Sequence, residues 1–273
     1  MKVGIKTYTD EVGYKYLPKI IEFVDFIEIL PVPDNNYYKS FKDFDIPFRI
    51  HAPHQGFGAD PGDKKAVERT RHCINVARDA ADIFNSPTIV MHPGKYHDVG
   101  SRERAIDLLK SFDDRRFLVE NLPKFTEFEE LGTTADEIKA FIENLNCGMC
   151  LDFGHATITE KKTGKNYKQI INEFLKFNPK YFHIMGGSLT DGIDHKNLFY
   201  GNFDIEFFKS CIPDDAYVAL ETPHDAEMQK KEIEYLKKGN IRKLRFSDIR
   251  KCQGIFEYKI KNALSVLNIW RKR

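Results

Sequence analysis

Eight short runs rich in β-branched and aromatic residues recur along the 273-residue chain, and helix-patterned segments separate nearly all of them. The runs are Val3–Tyr8, Phe26–Leu30, Phe48–His51, Thr88–His92, Phe117–Glu120, Gly148–Asp152, Tyr181–Met185 and Tyr217–Glu221. Helical patterning falls at Tyr14–Phe23, Lys64–Phe84, Arg102–Phe112, Thr134–Asn144, Tyr167–Phe177, Asp204–Cys211 and Ala226–Leu236, whereas the connection around Asp34–Phe44 is poorly patterned. Alternation of strand and helix marks repeated βα units, whose strands lie parallel in one sheet. Eight such units in one chain predict an α/β fold, a closed (β/α)8 TIM barrel. Helix starts fit this reading, since Thr133-Thr134-Ala135-Asp136-Glu137 supplies a hydroxyl cap with an acid three residues on.

After residue 238 the rhythm stops. Phe256, Ile260, Ala263, Leu264, Leu267 and Trp270 then fall at helical spacing, so residues 239–273 are expected to form a C-terminal helical extension to a barrel spanning residues 1–238. That extension carries ten basic and two acidic side chains, a local excess of eight. With a formal net charge of +1 for the whole chain, the first 238 residues stand at −7. A basic tail on an acidic body suits contact with nucleic acid and equally suits a solvated surface helix. Its apolar stripe could also cover the barrel or a partner subunit.

With 41% hydrophobic and 30% charged residues, the composition is that of a soluble globular protein. No stretch approaches the roughly 20 apolar residues that span a bilayer, and Met1 leads straight into a strand-like run without an apolar leader. The expected location is therefore the cytoplasm. Five cysteines, an odd number, do not suggest a disulfide framework. Cys147-Gly148-Met149-Cys150 has redox-motif spacing, but in a strand residues three apart face opposite ways, so these are read as core positions.

The chemistry lies at the strand ends. The third strand ends in Ile50-His51, the fourth in Met91-His92, the fifth in Val119-Glu120 and the sixth in Leu151-Asp152. The seventh reaches Phe182-His183 and the eighth ends in Leu220-Glu221. In a (β/α)8 barrel those ends surround one mouth, so residues far apart in sequence converge. Two more histidines, His155 and His195, are expected in the loops after the sixth and seventh strands. Crowding carboxylates and imidazoles into one pocket is costly unless cations compensate them, and a metal centre supplies that compensation. Nitrogen and oxygen ligands without cysteine suit zinc or manganese, and eight candidates suffice for two or three ions.

Taken together, His51-Ala52-Pro53-His54, Met91-His92-Pro93-Gly94, Val119-Glu120-Asn121, Leu151-Asp152-Phe153-Gly154-His155-Ala156, Phe182-His183-Ile184, His195 with Gly201-Asn202, and Leu220-Glu221-Thr222 occur in the order of the endonuclease IV family. Over roughly residues 1–238 the chain resembles that family of xylose-isomerase-like TIM barrels. The resemblance implies a trinuclear zinc centre that hydrolyses DNA 5′ to abasic sites. His51 and His92 would hold one ion, bridged by Glu120 to a second ion held by Asp152, His183 and Glu221, with His155 and His195 at a third. The sequence departs from the family in two places. Ile193 stands where the family has an aspartate two residues before the loop histidine, which leaves Asp194 or Asp191 as possible third-site ligands. His54 stands where the family has a tyrosine.

The same superfamily resemblance carries a second reading, a divalent-metal sugar isomerase or epimerase. Its ligand quartet would be Glu120, Asp152, His183 and Glu221, with Glu120 and Glu221 as the catalytic pair that moves a proton between adjacent carbons. The partners would accordingly be DNA with abasic sites or a small sugar. His54 and His224 are candidates for contacts to substrate or to the ligands themselves. Glu28 could face the mouth, but its direction is open and it is not counted among the ligands. The Gly186-Gly187-Ser188 stretch fits either a phosphate cradle or a tight turn. No partner is assigned to His72 or His97.

Overall fold

A computed structural model of the chain describes residues 1–124 and 129–238. The expected helical extension at 239–273 lies outside the described residues. Eight parallel strands close a barrel: β1 (Lys2–Tyr8), β2 (Phe26–Leu30), β3 (Phe48–His51), β4 (Ile89–Met91), β5 (Phe117–Glu120), β6 (Gly148–Asp152), β7 (Tyr181–Ile184) and the eighth barrel strand, β10 (Tyr217–Leu220). Each strand pairs with its sequence neighbour in the barrel, and β1 pairs with β10 to shut it. β2 and β3 are buried on both faces, as strands are when helices cover one side and packed side chains fill the other.

The outer helices are α1 (Glu11–Tyr16), α2 (Val67–Ile83), α3 (Ser101–Lys110), α4 (Ala135–Leu145), α5 (Phe153–Thr163), α6 (Tyr167–Leu175), α7 (Ile205–Ser210) and α8 (Ala226–Lys238). α2 turns Thr70, Cys73, Ile74, Ala77, Ala80 and Ala81 inward at the helical period. α4 begins with the capping box expected from Thr134 and Glu137 and stops at the left-handed Asn146.

Three local expectations are corrected. The helix expected at Tyr14–Phe23 is instead α1, capped by Asp10, followed by two 3-10 turns at Leu17–Lys19 and Ile21–Phe23. Pro18 lacks the N–H that a continuing helix requires. Directly after β6 comes α5, where a loop was expected, because Asp152 caps its first turn by accepting from the His155 N–H at 2.7 Å. After β7 two short strands, β8 (Gly186–Ser188) and β9 (Ile193–Lys196), form an antiparallel hairpin. Gly186 and Gly187 are needed there for space, since a Cβ on them would sit 1.8 Å from Asn197 O and 2.3 Å from Ile193 O. These glycines thus serve close packing within a strand and not the tight turn expected of them. Among the described residues no helix is long and apolar enough to cross a membrane.

One interior layer consists of Phe26, Val90, Cys150 and Ala219 from alternate barrel strands, together with Tyr181, and Leu118 packs against it. Cys150 belongs to this buried layer, whereas Cys147 is half-buried and precedes β6, so only one of the two expected core cysteines is a core position.

Candidate metal centre

The core layer places the site. Strand side chains alternate with period two, so the residue two positions after an inward-facing one also faces inward, one step nearer the mouth. Two residues after Phe26, Val90 and Leu118 stand Glu28, His92 and Glu120. Two after Cys150, Tyr181 and Ala219 stand Asp152, His183 and Glu221. Register extends the ring: Lys6 lies beside Glu28, Glu28 beside Arg49, and His51 beside Val90. All eight barrel strands thus send one ionisable side chain toward the same space.

Glu120 is the hub. Its Oε2 lies 3.1 Å from His51 Nε2 and 3.2 Å from His92 Nε2, while its Oε1 lies 3.1 Å from His183 Nδ1 and 3.4 Å from His155 Nδ1. Glu221 Oε1 is 2.9 Å from His183 Nδ1, and Glu221 Oε2 is 3.4 Å from His195 Nδ1. Four groups have ligand atoms within 4.8 Å of one another: His51, His92 and Glu120; Glu120, Asp152, His183 and Glu221; His155, Asp194 and His195; and Glu28, His51, His183 and Glu221.

The imidazoles are oriented by partners behind them. His51 Nδ1 donates to Ala52 O at 2.8 Å and His155 Nδ1 to Asn121 O at 2.9 Å, because a backbone carbonyl only accepts. Gln55 gives its NH2 to Glu130, which leaves its oxygen to accept from His92 Nδ1 at 3.0 Å. In His51 and His92 the Nε2 lone pair is left for the interior, toward Glu120, whereas in His155 it is Nδ1 that lies nearest Glu120 and Asp152. His183 is turned the other way: Nε2 donates to Glu28 at 3.0 Å, and Nδ1 faces Glu120 and Glu221. Ligating histidines are typically held in this manner, with the second nitrogen spent on a carboxylate or carbonyl. Asp152 gives the sharpest fit test, for its Oδ2 is buried and has no hydrogen-bond partner, while Oδ1 caps α5. An orphaned carboxylate oxygen converging with ligand atoms of Glu120, His183 and Glu221 fits a divalent cation.

The charges follow from burial and proximity. Desolvation would raise Glu120, yet His183 and His92 hold its carboxyl well below the usual range. Against the same desolvation, Lys6 and His183 hold Glu221 well below it. Asp152 is pushed up to about 6 by burial, with Glu221 and Glu120 adding to the rise. Burial drives His92 down to about 4. Burial works against protonation of His155, but Asp152 and Glu120 raise it on balance.

Several expected residues stand elsewhere than the sequence suggested. His155 rides on the first turn of α5 and His195 on β9; neither is in a loop. Asp194 joins His155 and His195, whereas Asp191 does not, because its carboxylate accepts from Ser188 Oγ at 2.6 Å. Neighbours on a regular strand face opposite ways, and β9 escapes that rule by a bulge. Ser188 pairs with Ile193 and Gly186 with Lys196, so Asp194 and His195 together oppose Gly187, and His195 adopts a left-handed φ of 50°. His54 stacks on His92 with ring centroids 4.6 Å apart, and His224 stacks on Tyr16 at 4.4 Å. His72 pairs with Asp34 and His97 with Asp60, both through their imidazole Nε2.

Lys6 is the residue that sequence reasoning missed, and Glu28 is the one whose direction it left open. Lys6 Nζ lies 2.6 Å from Glu221 and 4.0 Å from Glu28, and Glu28 also accepts from the Tyr181 hydroxyl. A charged side chain in the middle of an otherwise apolar strand was the available signal. A cavity of about 450 Å³ opens over the centre, with Lys6, Tyr8, His54, His92, His195 and His224 in its wall.

Residues 24–239 match the family described as Xylose isomerase-like TIM barrel. An uncharacterized protein of Methanocaldococcus jannaschii, MJ1311, is 24% identical over 71% of each chain. Endonuclease IV of Thermus thermophilus superimposes with a TM-score of 0.65 at 18% identity, covering 88% of this chain and all of that one. A D-tagatose 3-epimerase-like protein superimposes with a TM-score of 0.63 at 18% identity, covering 87% of this chain and 98% of that one. At such identities the likeness to these two structures is one of fold. The closed eight-stranded barrel and the match over most of the chain place this protein in the xylose isomerase-like TIM barrel family.

Proposed function

We propose that the protein is a metal-dependent phosphodiester hydrolase with a multinuclear centre, acting on DNA 5′ to abasic sites. The observation that carries this reading is ligand number. The two clusters that share Glu120, together with His155, Asp194 and His195, offer nine donors, whereas a single-ion isomerase would use four and leave His51, His92 and His195 idle. His51, His92 and Glu120 would hold one ion. Asp152, His183 and Glu221 would share Glu120 for a second, and His155, Asp194 and His195 would take a third. Clustered zinc or manganese ions supply Lewis acidity, acidify water and offset charge on a phosphoryl group undergoing in-line displacement.

The chain itself supplies the surroundings. Lys6, with its side chain 16% exposed, adds a fixed positive charge beside the Glu221 carboxylate. Burial, with His92 and His51 beside it, holds His54 far below the usual imidazole range, and burial lowers His224 as well. Both rings are therefore neutral at pH 7 and offer flat faces for a base or a sugar.

Metal identity and number, measured by mass spectrometry on the protein as purified, test this reading together with incision of abasic and intact duplexes. Two or three ions per chain with incision confined to the abasic strand support it. A single exchangeable ion and no incision overturn it in favour of a sugar epimerase. That second reading draws on the Glu120, Asp152, His183 and Glu221 quartet, whose ligand atoms converge and include the orphaned Asp152 oxygen. It predicts exchange of a ketose C–H proton with solvent.

A further inference from the structure

Another buried carboxylate stands outside these clusters. Glu232 on α8 is fully buried, and its two oxygens are used separately. Oε1 accepts from the Leu198 N–H at 2.8 Å, and Oε2 accepts from the Thr222 hydroxyl at 2.8 Å. Leu198 lies two residues beyond β9, which carries Asp194 and His195, and Thr222 directly follows Glu221. One turn earlier on α8, buried Gln229 donates to Thr222 O at 3.2 Å and accepts from Tyr16, the residue on which His224 stacks.

We propose that Glu232 is a positioning residue for the metal centre, tying the strand end that carries Glu221 to the hairpin that carries Asp194 and His195. The inference rests on the reading of those clusters as ion sites. The hairpin needs such a tie. His195 is 51% exposed and lies on a bulged two-stranded hairpin outside the barrel ladder. The hairpin's own ladder and its contacts to Gly201 and Asn202 lie within one excursion of the chain, and Glu232 adds a tie from α8. The anchor is made from a costly group, since burial pushes the Glu232 carboxyl up to about 7, the Thr222 and Leu198 hydrogen bonds opposing the rise and Asp225 adding to it. A neutral acceptor would suffice for packing alone. Two acceptor oxygens spaced to reach two separate loops are what a carboxylate adds.

The test is zinc retention by the full-length protein, dialysed against a chelator series that sets free zinc, for wild type, E232L, E232Q and T222V. E232L should release about one ion per chain at free zinc roughly 10- to 100-fold above the wild-type release point, the range seen when partners behind metal ligands are removed. E232Q and T222V, each losing one of the two ties, should fall between. Adding H195A to E232L should cost no second ion, because the ion that E232L loosens is the one His195 would hold. Should E232L fail to fold, E232Q and T222V decide by the same shift. Melting in excess chelator reports any purely structural effect. Variants that melt lower but release zinc along the wild-type curve overturn the proposal and leave the metal reading intact. A wild-type protein that holds no ion sinks both.

Discussion

The cost of burying Glu232 can be measured directly. Its carboxyl moves from the usual 4.5 to about 7 in the fold. A raised carboxylate value means that the folded state binds the proton more tightly than the unfolded chain. The associated stability is complete below about pH 4.5 and disappears as pH rises through about 7. At about 1.4 kcal/mol for each pH unit, the interval amounts to about 3 kcal/mol, lost in full above neutrality. E232Q has no proton to lose at this position and avoids the penalty. Urea unfolding of wild type and E232Q in excess chelator, from about pH 5 to about pH 8, isolates the effect because every other titrating group cancels in the difference. Wild type should lose most of that 3 kcal/mol relative to E232Q across the range. A difference that stays constant, or that shifts toward wild type as pH rises, would refute the argument from burial. A stability gain in E232Q together with weaker zinc retention would mark Glu232 as a group kept for positioning at the expense of stability.

Four other outcomes are expected. H195A should lower metal content by about one ion per chain, and unchanged content would reject the site formed by His155, Asp194 and His195. E28Q exchanges the carboxylate that accepts from His183 Nε2 and Tyr181 for a neutral amide, a weaker acceptor, so zinc affinity should fall roughly 10- to 100-fold, read by competition with a chromogenic chelator. Phe153 is fully buried between Phe182 and Phe208, with ring centroids 5.5 and 4.9 Å away, and F153A should cost about 3–5 kcal/mol in denaturant unfolding. Deleting residues 239–273 should weaken duplex binding and reduce the dependence of log Kd on log salt, measured by fluorescence anisotropy; an unchanged salt slope would remove the tail from any DNA contact.

The ring of ligands was legible because a parallel barrel brings strand C-termini together whatever the intervening helices do. His51, His92, Glu120, Asp152 and Glu221 stand at or just beyond those ends, and His183 lies one residue before the end of its strand. Lys6 and Glu28 were not legible in the same way. Their direction depends on the phase of alternation, which a single run such as Phe26–Leu30 leaves open and which register with neighbouring strands fixes. Asp194 and Asp191 were equal candidates on spacing. The choice fell to a bulge opposite Gly187, which a four-residue strand does not announce. α5 escaped notice because its cap, Asp152, was already read as a ligand, and the same side chain caps the helix through one oxygen while the other is left without a hydrogen-bond partner.

Local pattern alone therefore determined the number of βα units, the closed parallel barrel and the convergence of imidazoles and carboxylates at its mouth, since these follow from periodicity and chain order. Tertiary structure alone decided which flanking charges face inward, which acid joins His195, and that a carboxylate on the last described helix reaches two loops at once. Those features depend on register, backbone twist and contacts between residues up to about two hundred positions apart, as between Lys6 and Glu221. No window of sequence contains that information, because closing the barrel is what creates the contacts.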